Sequence, residues 1–150
     1  MSERLNAYKA APGGIKPMLD MEKYLHECGL EESLLLLVKM RASQINGCSY
    51  CLDMHSRDAR KNGETEQRLY VLDAWHETEL FSDRERAALA WTEALTLIAQ
   101  THAPDDVYAQ VNAQFSDAEI ANLSLLIGTI NLWNRLAISM RMPIPAAKAE

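Results

Sequence analysis

The sequence has few residues that interrupt helices and no long apolar run. Its 150 residues include only six glycines and five prolines, so few positions break regular structure. Even the strongly apolar stretch Leu34–Val38 is far too short to cross a bilayer. No segment near the start has the apolar core of a signal peptide. We therefore expect a cytoplasmic protein without a membrane partner.

Positive charge is also scarce. The chain has 15 Lys and Arg against 21 Asp and Glu, which gives a net charge of −6. Binding to a nucleic-acid backbone requires clustered positive charge, and no such footprint is visible. We predict no nucleic-acid partner and interpret the acidic surface as a feature that keeps the protein soluble.

No stretch alternates apolar and polar residues for long enough to indicate a strand, whereas helical spacing recurs along most of the chain. Helices are predicted over Ile15–Glu27, Glu32–Gln44, about Cys48–Lys61, about Thr65–Ala74, Ser82–Gln100, residues 103–114 and Ser116–Met140. Two of these starts carry the Ser-x-x-Glu pattern of a capping box, in "FSDRE" and "FSDAE". The pattern predicts one all-α domain over residues 1–150, a bundle of about six to seven helices. An N-terminal arm of a dozen residues, ending at "APGG", and a loose tail, "MPIPAAKAE", flank it.

Three cysteines are too few for a disulfide framework, which the cytosol would in any case disfavour. Two of them, Cys48 and Cys51, stand three apart in "SQINGCSYCLDMHSRDA", and His55 follows. If a helix starts at Cys48 after the "NG" break, all three side chains lie on one stripe of that helix. The helix N-terminus favours thiolate over thiol, and the imidazole comes within reach of Cys51. This arrangement favours a redox-active dithiol.

Three other interpretations compete with the dithiol. A zinc site would use Cys48, Cys51 and His55, but no second pair of ligands follows in the sequence. A c-type haem would need the histidine directly after the second cysteine, where Leu52 stands. A pair of inert core cysteines is the third. We predict that the site holds neither a metal nor another cofactor.

The segment "VKMRASQINGCSYCLDMHSRDARKNGE" strongly resembles the core of the carboxymuconolactone decarboxylase superfamily, in its alkylhydroperoxidase AhpD-like branch. The similarity extends over most of residues 5 to 141. It implies an all-α protein that assembles as a trimer or hexamer and reduces hydroperoxides through the dithiol. It also implies that Cys51 is oxidised first, that Cys48 resolves it, and that an unidentified thiol or protein donor restores the pair.

One position of this sequence differs from the pattern of the AhpD-like branch. A relay glutamate is expected twelve residues before the first cysteine, where this sequence has Leu36. Glu32 lies one helical turn earlier and is a candidate substitute, and Glu93 is a more distant one. The departure keeps open a redox sensor or assembly module with little turnover. A lactone decarboxylase-like enzyme is a second rival, although that activity does not depend on a cysteine pair.

Further polar and aromatic side chains are candidates for the relay or for the pocket. Gln44 lies in the flank of the cysteine motif, and Tyr50 stands between the two cysteines. Trp133 and Arg135 belong to an otherwise apolar helix, in which Asn131 and Arg135 share a face. Polar groups there need partners, so they either line the pocket or a subunit interface, or bond one helix to another.

Overall fold

Helices make up the regular secondary structure of the protein, for which a computed structural model describes residues 2–146. The α-helices are α1 (Ala7–Ala10), α2 (Pro12–Glu27), α3 (Glu32–Asn46), α4 (Ser49–Lys61), α5 (Glu66–Val71), α6 (Asp83–Thr96), α7 (Ile98–Thr101), α8 (Asp105–Gln114) and α9 (Asp117–Met140), with a 3-10 helix over Leu72–Glu77. Over the described residues this confirms the all-α prediction. No helix within this range is long and apolar enough to cross a membrane.

The N-terminal segment is helical, whereas the described part of the C-terminal tail is not. The arm contains α1, which the side chain of Asn6 caps by accepting a hydrogen bond from the backbone N–H of Lys9. Pro12 occupies the first turn of α2, so "APGG" begins a helix instead of ending an arm, as proline in a first turn commonly does. In the predicted tail, residues 142–146 have no regular secondary structure, but Met142 packs against the cysteine pair. Residues 147–150 lie outside the described part.

Among the described residues, α1 is a helix in addition to those predicted, and two predicted helices are each divided. The segment predicted as Thr65–Ala74 is α5 followed by the 3-10 helix. The segment predicted as Ser82–Gln100 is interrupted at Leu97, whose backbone leaves the helical region at φ −101° and ψ 30°. Both predicted capping boxes are confirmed: each serine side chain accepts from the N3 backbone N–H, and each N3 glutamate accepts from the cap backbone.

Helix α3 is the centre of the bundle. Its residues 34–38 are each at most 5% exposed. Leu34, Leu35 and Val38 pack into one cluster with α2, α6, α8 and α9, while Leu36, Leu37 and Met40 pack into another with α4, α5, α6 and the 3-10 helix. Burial within a single chain therefore accounts for the apolar run without a subunit contact.

Polar side chains between α3 and α9 fix the place where α4 begins. The amide of Asn46 donates to Asn131 Oδ1 at 3.0 Å and to Asn134 Oδ1 at 2.9 Å. Asn134, fully buried, donates in turn to Ser43 Oγ at 3.0 Å. The sequence left the role of Asn131 open, and the structure shows that it bonds one helix to another. Because Asn46 lies just before the turn into α4, this network positions Cys48 relative to α9.

Candidate active site

The cysteine pair lies at the N-terminus of α4, as predicted. Gly47 ends α3 in the left-handed region at φ 69°, a conformation that glycine adopts without strain. Cys48 is then the N-cap of α4, and its Sγ accepts a hydrogen bond from the backbone N–H of Cys51 at 3.3 Å. The two cysteines form a disulfide with their Cα atoms 5.3 Å apart, and each is at most 2% exposed. The pair therefore lies where a helix N-terminus favours the thiolate form of a reduced cysteine.

His55 lies one turn beyond Cys51 and is 6% exposed. Its Nδ1 has no hydrogen-bond partner among the described residues. Burial, followed by the positive charges of Lys39 and His26, lowers the pKa of His55 from 6.5 to about 3. The imidazole is therefore neutral at neutral pH. Buried polar atoms almost always have partners, so the unpartnered Nδ1 makes His55 a candidate functional residue.

A buried ion pair that the sequence analysis missed lines the same cavity as Cys51. Lys39, 4% exposed, donates from Nζ to Glu22 Oε2 at 2.6 Å. The other carboxylate oxygen of Glu22 accepts from Trp133 Nε1 at 3.0 Å. A lysine directly after the apolar run of α3 was the available signal, because buried charges are rare unless they are paired.

These groups surround a cavity of about 260 Å³ beside Cys51. Its lining includes Cys51, His55, Lys39, Glu22, Trp133 and Tyr8. Tyr8 comes from α1 and stacks on Trp133 with ring centroids 6.1 Å apart, so the N-terminal arm forms one wall. Burial raises the pKa of the Tyr8 hydroxyl, with smaller contributions from Tyr50 and Glu22. Tyr8 is therefore a neutral donor or acceptor in this wall.

The remaining predicted pocket residues divide into two groups. Tyr50 and Trp133 line the cavity beside Cys51. Gln44 instead accepts a hydrogen bond from Arg41 at 3.2 Å, and Arg135 donates to the backbone oxygen of Asn131 at 2.9 Å. Neither Gln44 nor Arg135 lines the cavities that the cysteines touch. Their side chains were assigned to the site from sequence neighbourhood, which does not determine which way a helical residue points.

The position of the missing relay acid does face the imidazole. Leu36 and His55 line a further cavity of about 350 Å³, together with Glu32 and His26. The carboxylate of Glu32 lies 2.7 Å from His26 Nδ1, which it pairs with. Glu93 lies elsewhere, bonded to Arg41 and Trp75 and outside the three cavities around the cysteines and His55. His55 Nδ1 is therefore left without a carboxylate.

Residues 2–146 contain no group of three or more His, Cys, Asp or Glu side chains arranged to hold a metal ion. Cys48 and Cys51 are bonded to each other in this structure, and metal coordination requires cysteine as free thiolate.

Residues 15–94 match the model of the carboxymuconolactone decarboxylase family. The chain belongs to this family. The uncharacterized protein YdfG of Bacillus subtilis strain 168 is 46% identical over 140 residues, 93% of this chain and 95% of YdfG. YnjA of Escherichia coli K12, also uncharacterized, is 34% identical over 108 residues, 71% of this chain and 58% of YnjA.

Solved structures place the chain in the AhpD-like branch of the carboxymuconolactone decarboxylase superfamily. A protein of unknown function from Agrobacterium tumefaciens, suggested to be the antioxidant defence protein AhpD, superposes with a TM-score of 0.94 at 41% identity, over 97% of this chain and 100% of that one. The debrominase Bmp8 superposes with a TM-score of 0.79 at 18% identity, over 92% of this chain and 74% of that one. At that identity Bmp8 shows the shared fold alone.

In this carboxymuconolactone decarboxylase family member, one cysteine of a disulfide, a neutral imidazole and a buried cation line one cavity. A cysteine thiolate in such a place can attack a small electrophile, and a second cysteine one helical turn away can displace the product as a disulfide. The arrangement is compatible with the alkylhydroperoxidase activity associated with the AhpD-like branch.

Proposed function

We propose that the protein is a thiol-dependent peroxidase that reduces hydroperoxides to alcohols. The observation that carries the proposal is the Cys48–Cys51 disulfide, which is the product such a reaction leaves, formed beside the neutral imidazole of His55. The resemblance of the chain to the AhpD-like branch adds support. A cavity of about 260 Å³ next to Cys51 suits a small substrate.

Cys51 is the sulfur that meets the peroxide in this proposal. Its thiolate attacks the terminal oxygen of the hydroperoxide, the O–O bond breaks, and the alkoxide takes up a proton and leaves as the alcohol. Cys51 is then a sulfenic acid. The nearby ammonium of Lys39 favours the thiolate over the thiol, because an adjacent cation stabilises the anion. Glu22 and Trp133 hold that ammonium in place.

Cys48 resolves the sulfenic acid. Its thiolate attacks the sulfur of Cys51, the S–S bond forms, and hydroxide leaves and is protonated to water. The hydrogen bond from the Cys51 N–H to Cys48 Sγ and the N-terminus of α4 both stabilise Cys48 as the attacking thiolate. Two electrons from an external thiol donor then restore the dithiol.

His55 moves the proton. With Nδ1 unpartnered, the imidazole has a free position toward the cavities it lines. Ionisation of Cys51 adds a negative charge one helical turn away, which favours the protonated imidazole and opposes the effect of Lys39. His55 can therefore receive the thiol proton and pass it to the leaving alkoxide. Leu36 removes the carboxylate that would orient the ring, so we infer that Lys39 supplies much of the activation electrostatically.

A single-turnover experiment tests the order of the two cysteines. In the Cys48→Ser variant, one equivalent of hydroperoxide should convert Cys51 to a sulfenic acid that a cyclic diketone probe traps, detected by peptide mass. The Cys51→Ser variant is the matched control and should give no adduct at comparable peroxide. Adduct formation on Cys48 in that control, at the rate seen for Cys51, would reverse the assignment.

A disulfide switch with little turnover is the second candidate. Leu36 favours it, because this side chain occupies the position facing His55 where a relay carboxylate is expected. Such a protein would form the disulfide with peroxide but would consume little peroxide in the presence of a donor. Comparing the rate of disulfide formation with the steady-state rate separates the two candidates.

A further inference from the structure

The two cysteines of the disulfide line different cavities. Cys51 lines the cavity of about 260 Å³ that also contains His55. Cys48 lines a separate cavity of about 550 Å³ and does not reach the first one. Tyr50, Ala137 and Met142 line both, and pack with the disulfide as an apolar cluster. These three residues, which we call the partition, separate a Cys51 cavity from a Cys48 cavity.

The Cys48 cavity is positively charged, in contrast to the chain as a whole. Among residues 2–146, Arg4 and Arg141 line it and no acidic side chain does, although the chain as a whole carries a net charge of −6. Arg4 is held there by hydrogen bonds from its backbone N–H to the oxygen of Met140 at 2.9 Å and from its guanidinium to Ser139 at 3.2 Å. The Cys51 cavity, by comparison, contains the carboxylates of Glu22 and Asp58 together with the ammonium of Lys39, which is paired with Glu22. An anion is therefore attracted to the Cys48 side.

We propose that a low-molecular-mass thiol carrying carboxylates reduces the disulfide by attacking Cys48 from the Cys48 cavity. This deepens the proposed function, on which it rests, by naming the class of the reductant. A volume of about 550 Å³ accommodates a molecule as large as a short peptide. Guanidinium groups bind carboxylates in paired hydrogen bonds, so Arg4 and Arg141 can hold the donor while its sulfur approaches Cys48.

Reduction of the disulfide takes two thiol–disulfide exchange steps. The donor thiolate attacks Cys48 Sγ, the S–S bond breaks, and its electron pair leaves on Cys51 Sγ as a thiolate, which Lys39 stabilises. The donor and Cys48 are then joined in a mixed disulfide. A second donor thiolate attacks the donor sulfur of that bond and releases Cys48 as a thiolate together with the oxidised donor. Two thiols are oxidised to one disulfide, and the protein gains two electrons. Peroxide reduction and regeneration thus use opposite sides of the partition.

The first test uses oxidised full-length protein and no peroxide. Reduction is followed by alkylating the new thiols and measuring their mass, with glutathione as the anionic donor and 2-mercaptoethanol as a neutral one. The Arg141→Gln variant should lower the rate constant for glutathione by about threefold to tenfold and leave that for 2-mercaptoethanol nearly unchanged. The Lys16→Gln variant removes an equal charge at an exposed site on α2 and should change neither constant. Equal changes for both donors, or no change with glutathione, would overturn the proposal.

The second test locates the attacked sulfur. Cys51→Ser and Cys48→Ser proteins are each converted to a mixed disulfide with the chromophore thionitrobenzoate, and glutathione-driven release of the chromophore is timed. Release from Cys48 should be the faster and should slow when Arg141 is replaced by Gln. Faster release from Cys51 would show that the donor enters through the Cys51 cavity and would overturn the assignment. Because neither test contains peroxide, their failure is separate from a failure of the peroxidase proposal.

Discussion

Burial of His55 makes the stability of the fold depend on pH. Its pKa falls from 6.5 to about 3 in the folded protein, first because of desolvation and then because of Lys39 and His26. Above pH 6.5 the imidazole is neutral in both states and contributes nothing to the pH dependence. Below that value the unfolded chain binds a proton that the folded chain does not. The free energy of unfolding should then fall by about 1.4 kcal/mol per pH unit, or about 2 kcal/mol by about pH 5.

Urea denaturation of the oxidised protein between about pH 7.5 and about pH 5 measures this dependence. The His55→Gln variant removes the titrating group. Between these two pH values its free energy of unfolding should therefore fall by about 2 kcal/mol less than that of wild type. The His102→Gln variant, which replaces an exposed histidine, is the control and should behave as wild type. Four glutamates have pKa values lowered from 4.5, so they affect stability below this window: Glu31, Glu85, Glu93 and Glu119.

Parallel pH profiles for wild type and His55→Gln would refute the reasoning. They would mean that the imidazole takes up its proton in the folded protein as readily as in the unfolded chain. The imidazole would then have its ordinary pKa of 6.5 in the folded protein, and the desolvation of His55 would not have the effect described.

Four further predictions follow from the site and the helix contacts. Replacing Lys39 by Met should slow the alkylation of Cys51 by iodoacetamide in reduced protein at neutral pH, because the thiolate loses a buried cation. An unchanged rate would show that Lys39 does not activate Cys51. Replacing Leu36 by Glu should raise the rate of peroxide consumption by up to about a hundredfold, because the carboxylate supplies a partner for the imidazole. Thermal melting checks that the variant is folded. If a folded variant shows no gain, the relay lies elsewhere. Replacing Asn134 by Ala should lower the free energy of unfolding by about 1–3 kcal/mol, because Asn46 and Ser43 lose buried partners, and urea titration showing no loss would contradict this. Light scattering should give a mass several times the 16.9 kDa of one chain, and a monomeric mass at micromolar concentration would contradict the expected trimer or hexamer.

Sequence reasoning succeeded where structure is set locally. The capping boxes at Ser82 and Ser116 depend on residues three apart, and both are present. The position of Cys48 at the start of α4 likewise follows from the Gly47 turn and the helical spacing of the cysteines. In both cases the deciding interactions span less than two helical turns, so a single sequence contains the information.

The parts that escaped prediction depend on contacts between helices. The pairing of Lys39 with Glu22 joins α3 to α2, and no local pattern specifies which carboxylate a buried lysine meets. The stacking of Tyr8 on Trp133 brings opposite ends of the chain together, so a segment interpreted as a free arm became a wall of the cavity. Gln44 shows the converse, since its place beside the motif did not bring it to the site.

In the proposed mechanism, the dithiol turns over hydroperoxide at Cys51. This is tested by steady-state peroxide consumption in the presence of a dithiol donor, with wild type and the Cys51→Ser variant in parallel. We expect sustained consumption by wild type and none above background by folded Cys51→Ser. Consumption that survives the loss of Cys51, or wild-type protein that the donor keeps reduced but that consumes no peroxide above background, would contradict the mechanism.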